Sequence, residues 1–243
     1  QKVDFNELSE QFLRNIKEGK NTQDIQNTLA NTSLEALESG LETNDQKTAF
    51  WLNIYNAYIQ VILTKNPELY EDRSSFFKRE QINIAGKMFS FADIEHGMVR
   101  KSQWEYGLGY VRKWFPGQFG EGLASGAAKA SEERAARELM ADKEERDYRI
   151  HFALNCGAKD CPPVAIYEAD RLDEQLNKGT QRFLSKTSEF DSIQRKASVT
   201  SLFSWFRGDF GGKSGTKEIL KKNEIINSTE DVELIYKNYD WTL

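Results

Sequence analysis

Residues 45–65, DQKTAFWLNIYNAYIQVILTK, are apolar around almost the whole circumference of a helix. Such a helix has to be central and buried, because any exposed side would leave large rings in water. Asn44 or Asp45 can cap its start, and Pro67 follows soon after its end. A chain of 243 residues can surround it, as one large domain or two small ones, without needing disulfide staples. Hydrophobic residues at 39% and charged residues at 29% exclude a fully disordered chain. No apolar run approaches the roughly 20 residues that cross a bilayer. A net charge of −5 argues against a dominant basic face, so neither a transmembrane segment nor a nucleic-acid partner is expected.

Other elements follow from periodicity. Helical spacing marks 4–18 and, more weakly, 22–39. The segment 82–91 predicts a hairpin turning at Ala85-Gly86-Lys87, and Ser90 with Asp93 forms a capping-box start for the helix that carries Glu95, His96 and Arg100. Residues 102–119 are aromatic-rich, and 117–147 turn to Gly, Ala, Ser and charge, with a solvated helix expected at 131–146. That stretch has the character of an insertion. The alternation in 149–155, RIHFALN, predicts a strand with His151 and Asn155 on one face, feeding the loop CGAKDCPP. A helix is expected at 168–187 and a single strand within 189–200. A short aromatic helix with a Gly turn is expected at 201–212, and short amphipathic helices at 215–222 and 230–238. The terminal YDWTL is apolar enough to dock.

The chain holds only two cysteines and two histidines, so thiol or imidazole chemistry must draw on His96, His151, Cys156 and Cys161. Four readings compete. Cys156 is a nucleophile with His96 or His151 as base and Asn155, Glu95 or another amide or acid as orienter. Cys156 and Cys161 form a disulfide. Both cysteines are small buried residues beside satisfied histidines. The four side chains hold zinc, although cysteines five apart are wider than the usual paired spacing. The site prediction carries no metal and no cofactor. Asn53 and Asn56 share one face of the central helix, where their amides either bond a neighbouring loop or line a site. Arg100 stands one turn from His96 and can share its surface. Arg149 reads as a solvated surface residue or a carboxylate binder.

Together AFWLNIYNAYIQVIL, ADIEHGMVR, RIHFALNCGAKDCPP, SLFSWFRGDFG and YDWTL resemble, in that order, the family catalogued as domain of unknown function 547. The likeness runs from about residue 45 to 243, and HFALNCGAKDCPP is its most specific part. The resemblance implies exported or envelope-associated bacterial proteins and places Asn53, Asn56, Glu95, His96, His151, Asn155, Cys156 and Cys161 inside the family's motifs. It supplies no activity. It carries a distant analogy to papain-like or transglutaminase-like folds, which fixes no function.

The expectation is an α+β protein: a mainly helical single domain over 45–243 with a small antiparallel sheet that includes 82–91 and 149–155, and a helical extension over 1–44. The start at Gln1 reads as a mature end after a cleaved signal peptide, giving a secreted or periplasmic protein. The functional expectation is a thiol-dependent hydrolase or acyl transferase on a peptide or amide. The alternative is a non-catalytic binding module with a structural Cys156–Cys161 pair.

Overall fold

The computed structural model describes residues 2–100 and 147–243. The central helix is α4, Asn44–Lys65, and every residue from Lys47 to Ile59 in it is buried. Its cap is Thr43, one residue earlier than expected. The Thr43 hydroxyl accepts from the Gln46 amide, and the Gln46 side chain accepts from the Thr43 amide. This reciprocal box satisfies two orphan donors at once, which a lone Asn or Asp cap cannot do.

Three helices precede α4. The first, α1 (Phe5–Lys17), lays Phe5 and Phe12 edge-on against Phe50 and Tyr58 of α4, with centroids 6.3 and 5.1 Å apart. The single helix expected over 22–39 is two, α2 (Gln23–Asn31) and α3 (Leu34–Gly40). The break falls where the Ser33 side chain accepts from the Ala36 amide and starts a new helix. After α4 come a 3₁₀ turn, Pro67–Asp72, and α5, Arg73–Lys78.

The hairpin forms as expected, from β1 (Ile82–Ile84) and β2 (Lys87–Phe89). Ala85 and Gly86 make the turn at φ 52° and 71°, and their amides donate to Leu29 and Ala30 at the end of α2. The capping box is present, with Ser90 N–H donating to Asp93 and Asp93 N–H to Ser90 Oγ. It opens a π-helical segment, Asp93–Val99, that carries Glu95 and His96. The aromatic stretch 102–119 and the solvated helix at 131–146 lie outside the described residues.

The expected strand at 149–155 is a 3₁₀ turn, Tyr148–Phe152, followed by irregular chain. Its alternation has another cause. The buried apolar side chains of the described residues fall into two clusters, and Ile150 belongs to the first while Phe152 belongs to the second. The segment is a seam between two cores, and its alternating pattern serves both without a sheet.

Beyond it, a 3₁₀ turn at Ala169–Arg171 leads into α6, Leu172–Thr187. Residues 189–200 hold two strands rather than one, β3 (Glu189–Asp191) and β4 (Lys196–Val199), paired antiparallel. The helix expected at 230–238 is β5, Glu233–Tyr236, parallel to β4. Its burial alternates, with Leu234 and Tyr236 half-buried and Glu233 and Ile235 exposed, and it pairs with β4 in register, Ala197 opposite Leu234. Between these strands lie α7, Leu202–Trp205, and α8, Gly212–Lys222. The architecture is α+β and mainly helical, with a two-stranded and a three-stranded sheet. Among the described residues no helix is long and apolar enough to cross a membrane.

Candidate functional site

The two asparagines of α4 act on loop backbone. Asn56 donates to the Ala153 carbonyl at 2.9 Å and accepts from the Asn155 amide at 2.8 Å. Asn53 donates to the Tyr167 carbonyl and to Ser9 Oγ, and accepts from the Tyr167 amide. Both are fully buried, and each amide replaces the ladder partners that the irregular chain after 152 lacks. Asn155 is spent in the same way. Its side chain donates to the Pro162 carbonyl and accepts from the Gly157 amide, so it shapes its own loop and orients no imidazole through these bonds.

That loop carries a disulfide between Cys156 and Cys161, whose Cα atoms are 5.8 Å apart. In this form neither sulfur is a thiol, and the expected Cys156 nucleophile is masked. Gly157 sits at φ +87°, a conformation that favours glycine, and a Cβ there would lie 2.7 Å from Leu63 Cδ1 and push that side chain aside. The chain terminus docks on the loop as expected. Lys159 and Asp160 amides donate to the Thr242 and Asp240 carbonyls, and the Asp240 amide donates back to Asp160. Tyr70 Oη–H donates to the Cys156 carbonyl, and Tyr239 Oη–H to Cys161 Sγ at 3.3 Å.

A cavity of about 360 Å³ opens beside this loop. Its walls include Tyr55, Phe77, Trp205, Phe206, Tyr239 and Trp241, and its polar lining includes Glu95, His96, His151 and Cys156. The structure therefore brings together four of the five residues expected to be catalytic. Of the other expected residues, Arg100 lies behind the lining, Cys161 is buried, and Asn53, Asn56 and Asn155 hold backbone. Arg149 forms ion pairs with Asp147 and Asp173, both at 2.7 Å, and does not line the cavity.

Behind the two imidazoles lies a residue that the sequence reading missed, Asp209. His151 Nε2–H donates to Asp209 Oδ2 at 2.7 Å, and Arg100 Nε–H donates to the same oxygen at 2.7 Å. Arg100 Nη1–H donates to His96 Nδ1 at 2.5 Å. The side chains of Arg100, Asp209 and His151 are only 1–2% exposed. Burial alone raises the Asp209 carboxyl, but the bonds and charges of His151 and Arg100 outweigh it and hold the group well below the usual carboxylate range. Burial lowers His151 more than Asp209 raises it, so this imidazole is neutral near pH 7.

These bonds fix opposite tautomers. A carboxylate only accepts, so His151 carries its proton on Nε2 and keeps its lone pair on Nδ1. A guanidinium only donates, so the His96 lone pair on Nδ1 is taken by Arg100 and its proton sits on Nε2. His151 is thus the base-competent ring, and His96 the donor. The His151 ring stacks on Phe206 at 4.2 Å, and the Arg100 guanidinium lies 4.5 Å from the centre of the same ring.

The signal that could have found Asp209 is the string SLFSWFRGDFGG, where a single carboxylate stands in an aromatic and glycine stretch. A turn after α7 places it, with the Asp209 amide donating to the Phe206 carbonyl. Among the described residues no group of three or more His, Cys, Asp and Glu is arranged to hold a metal ion.

No curated protein and no solved structure matches the chain. The segment that carries α4, the hairpin, His96, His151 and the disulfide loop is the one a family model recognises: residues 39–184, more than half of the chain, match "Protein of unknown function, DUF547", and the chain belongs to that family.

Proposed function

We propose that this protein is a thiol-dependent hydrolase or acyl transferase acting on a peptide or amide, with Cys156 as nucleophile and His151 as base once the disulfide is reduced. The observation that carries this reading is that Cys156, His151, His96 and Glu95 line one cavity of small-molecule size while a carboxylate behind it fixes the His151 tautomer. Reduction by a dithiol frees Cys156. Its proton passes to His151, and the thiolate bonds to the substrate carbonyl carbon. The C–N bond breaks, and the amine leaves with the proton from the imidazolium. Water, or an amine in the transferase, then gives up a proton to His151 and displaces the thiol. The His96 Nε2–H is a donor for the developing oxyanion.

The disulfide supports an exported or envelope location, since such bonds persist in oxidising compartments. It also favours a second reading, a non-catalytic module that binds a peptide or small molecule in the aromatic-walled cavity.

The test is alkylation and turnover after mild reduction. The reduced protein is treated with iodoacetamide across pH 5–10 and offered a panel of chromogenic amides and esters. Fast labelling at Cys156 below the ordinary thiol pKa of about 8.5, with turnover falling by about 10²- to 10⁴-fold in H151A, is the expected result. Slow labelling with an unshifted profile in both proteins, and no turnover, would leave the binding module standing.

A further inference from the structure

The disulfide is asymmetric in its surroundings. Cys156 is half-buried and lines the cavity, whereas Cys161 is 9% exposed and does not. Tyr239 Oη lies 3.5 Å from Cys156 Sγ and donates its hydrogen bond to Cys161 Sγ at 3.3 Å. We propose that this disulfide is an exchange site for a low-molecular-weight thiol, which attacks Cys156 Sγ from the cavity and releases Cys161 as a thiolate held by Tyr239. This goes beyond the acyl-transfer reading and does not depend on it.

The step balances without a further reagent. The small thiol loses its proton to solvent, and its thiolate forms a new S–S bond to Cys156. The Cys156–Cys161 bond breaks, and its electron pair goes to the Cys161 sulfur. The product is a mixed disulfide on Cys156 and a free Cys161. A second thiol attacking the small-molecule sulfur then frees Cys156. Exchange runs faster when the leaving sulfur is the better-stabilised thiolate, and Tyr239 Oη lies closer to Cys161 Sγ, at 3.3 Å, than to Cys156 Sγ, at 3.5 Å. Burial pushes the Tyr239 phenol up, so it keeps that proton at neutral pH and remains a donor. The choice of a small thiol over a protein dithiol follows from shape. Cys156 lines a cavity of about 360 Å³ that has many aromatic rings in its walls, and the C-terminal residues bond along the disulfide loop.

The probe is L-cysteine, added to the oxidised full chain at pH 7.5, with acid quenching, intact mass and peptide mapping. The expected product carries a cysteinyl adduct on Cys156 and an alkylatable Cys161. In Y239F, checked for an unchanged thermal midpoint, adduct formation slows on the order of tenfold. A pair of single-cysteine variants guards against a folding artefact: C161S forms the adduct with cystine at least about tenfold faster than C156S. An adduct on Cys161 would overturn the proposal. So would reaction only after denaturation, opening by a thioredoxin-type protein but not by cysteine, or exchange in Y239F as fast as in the parent. The mass readout uses no acyl substrate, so failure here and failure of the hydrolase reading are separate results.

Discussion

The two cores formed by the described residues are built differently. The first gathers around one long helix, α4, and takes its residues mainly from chain segments near it in sequence. The second is assembled from the C-terminal half of α6, the shorter α7 and α8, and the three-stranded sheet, around Phe152, Phe183, Phe203 and Phe210. The candidate site lies where they meet. His96 and Arg100 come from the first side, Asp209 comes from the turn leading into Phe210 of the second, and His151 stands on the seam. The family match ends at residue 184, before Asp209. A site shared in this way depends on the ties between the cores, and Asp209, bonded to both Arg100 and His151, is one of them. The D209A variant strands the buried Arg100 charge, and breaking a buried pair by removing one partner costs about 3–5 kcal/mol. Urea denaturation of D209A should show that loss. The neutral D209N keeps the shape and should lose less, while still freeing the His151 tautomer. Equal stability of D209A and the parent would mean that the cores do not depend on this tie.

The two asparagines sharpen the same comparison within the first core. N53A and N56A each strand buried backbone groups, and each should cost about 2–3 kcal/mol. Their stability effects are expected to be alike, and their site effects to differ. Asn56 holds Ala153 and Asn155, on either side of the turn into the disulfide loop, whereas Asn53 holds Tyr167. N56A should therefore change the rate at which cysteine opens the disulfide, and N53A should leave it unchanged. The measurement is exchange rate set beside urea midpoint for both variants. Equal effects on exchange would make both residues merely structural.

The unequal construction of the cores also explains what the sequence revealed. The α4 helix was legible because its apolar residues leave no polar face, and the Ser90–Asp93 cap because its chemistry is local. The Asn pair could be seen three residues apart on one helix, and the cluster of His151 and Cys156 in one short string. The seam was not legible. Residues 149–155 alternate because they serve two cores in turn, which imitates a half-buried strand. Residues 230–238 look helical by composition, and become β5 only because β4 offers a partner. The pairing of His151 with Asp209 spans 58 residues and leaves no local trace, since neither short string shows which distant residue its side chain meets. Cysteine spacing left the disulfide and the thiol equally open, because a five-residue separation permits both.

The smallest expected effect concerns pH, and it separates the two regions by sign. Glu10, on α1, is 8% exposed. Burial, reinforced by Glu7 and only partly offset by Arg14, raises its carboxyl from 4.5 to about 7. The folded state therefore binds a proton that the unfolded state has released. Stability from this group is fully present below pH 4.5 and is lost as pH rises to about 7. On the seam the slope reverses. His151 is lowered from 6.5, first by burial, so the unfolded state takes up the proton more readily and stability falls as pH drops below 6.5. Asp209 adds to that loss below its ordinary 3.8, where the unfolded carboxyl protonates first. The E10Q variant cannot ionise at this position. It should match the parent near pH 4.5 and exceed it above pH 7 by on the order of 1 kcal/mol, screening by Arg14 and solvent having reduced the effect. Its acid-side decline should remain, because that belongs to His151 and Asp209. Urea midpoints of parent and E10Q at pH 4.5, 6 and 8 decide the matter. Parallel curves would mean that Glu10 is charged in the fold at neutral pH, leaving only the acid-side slope of the seam.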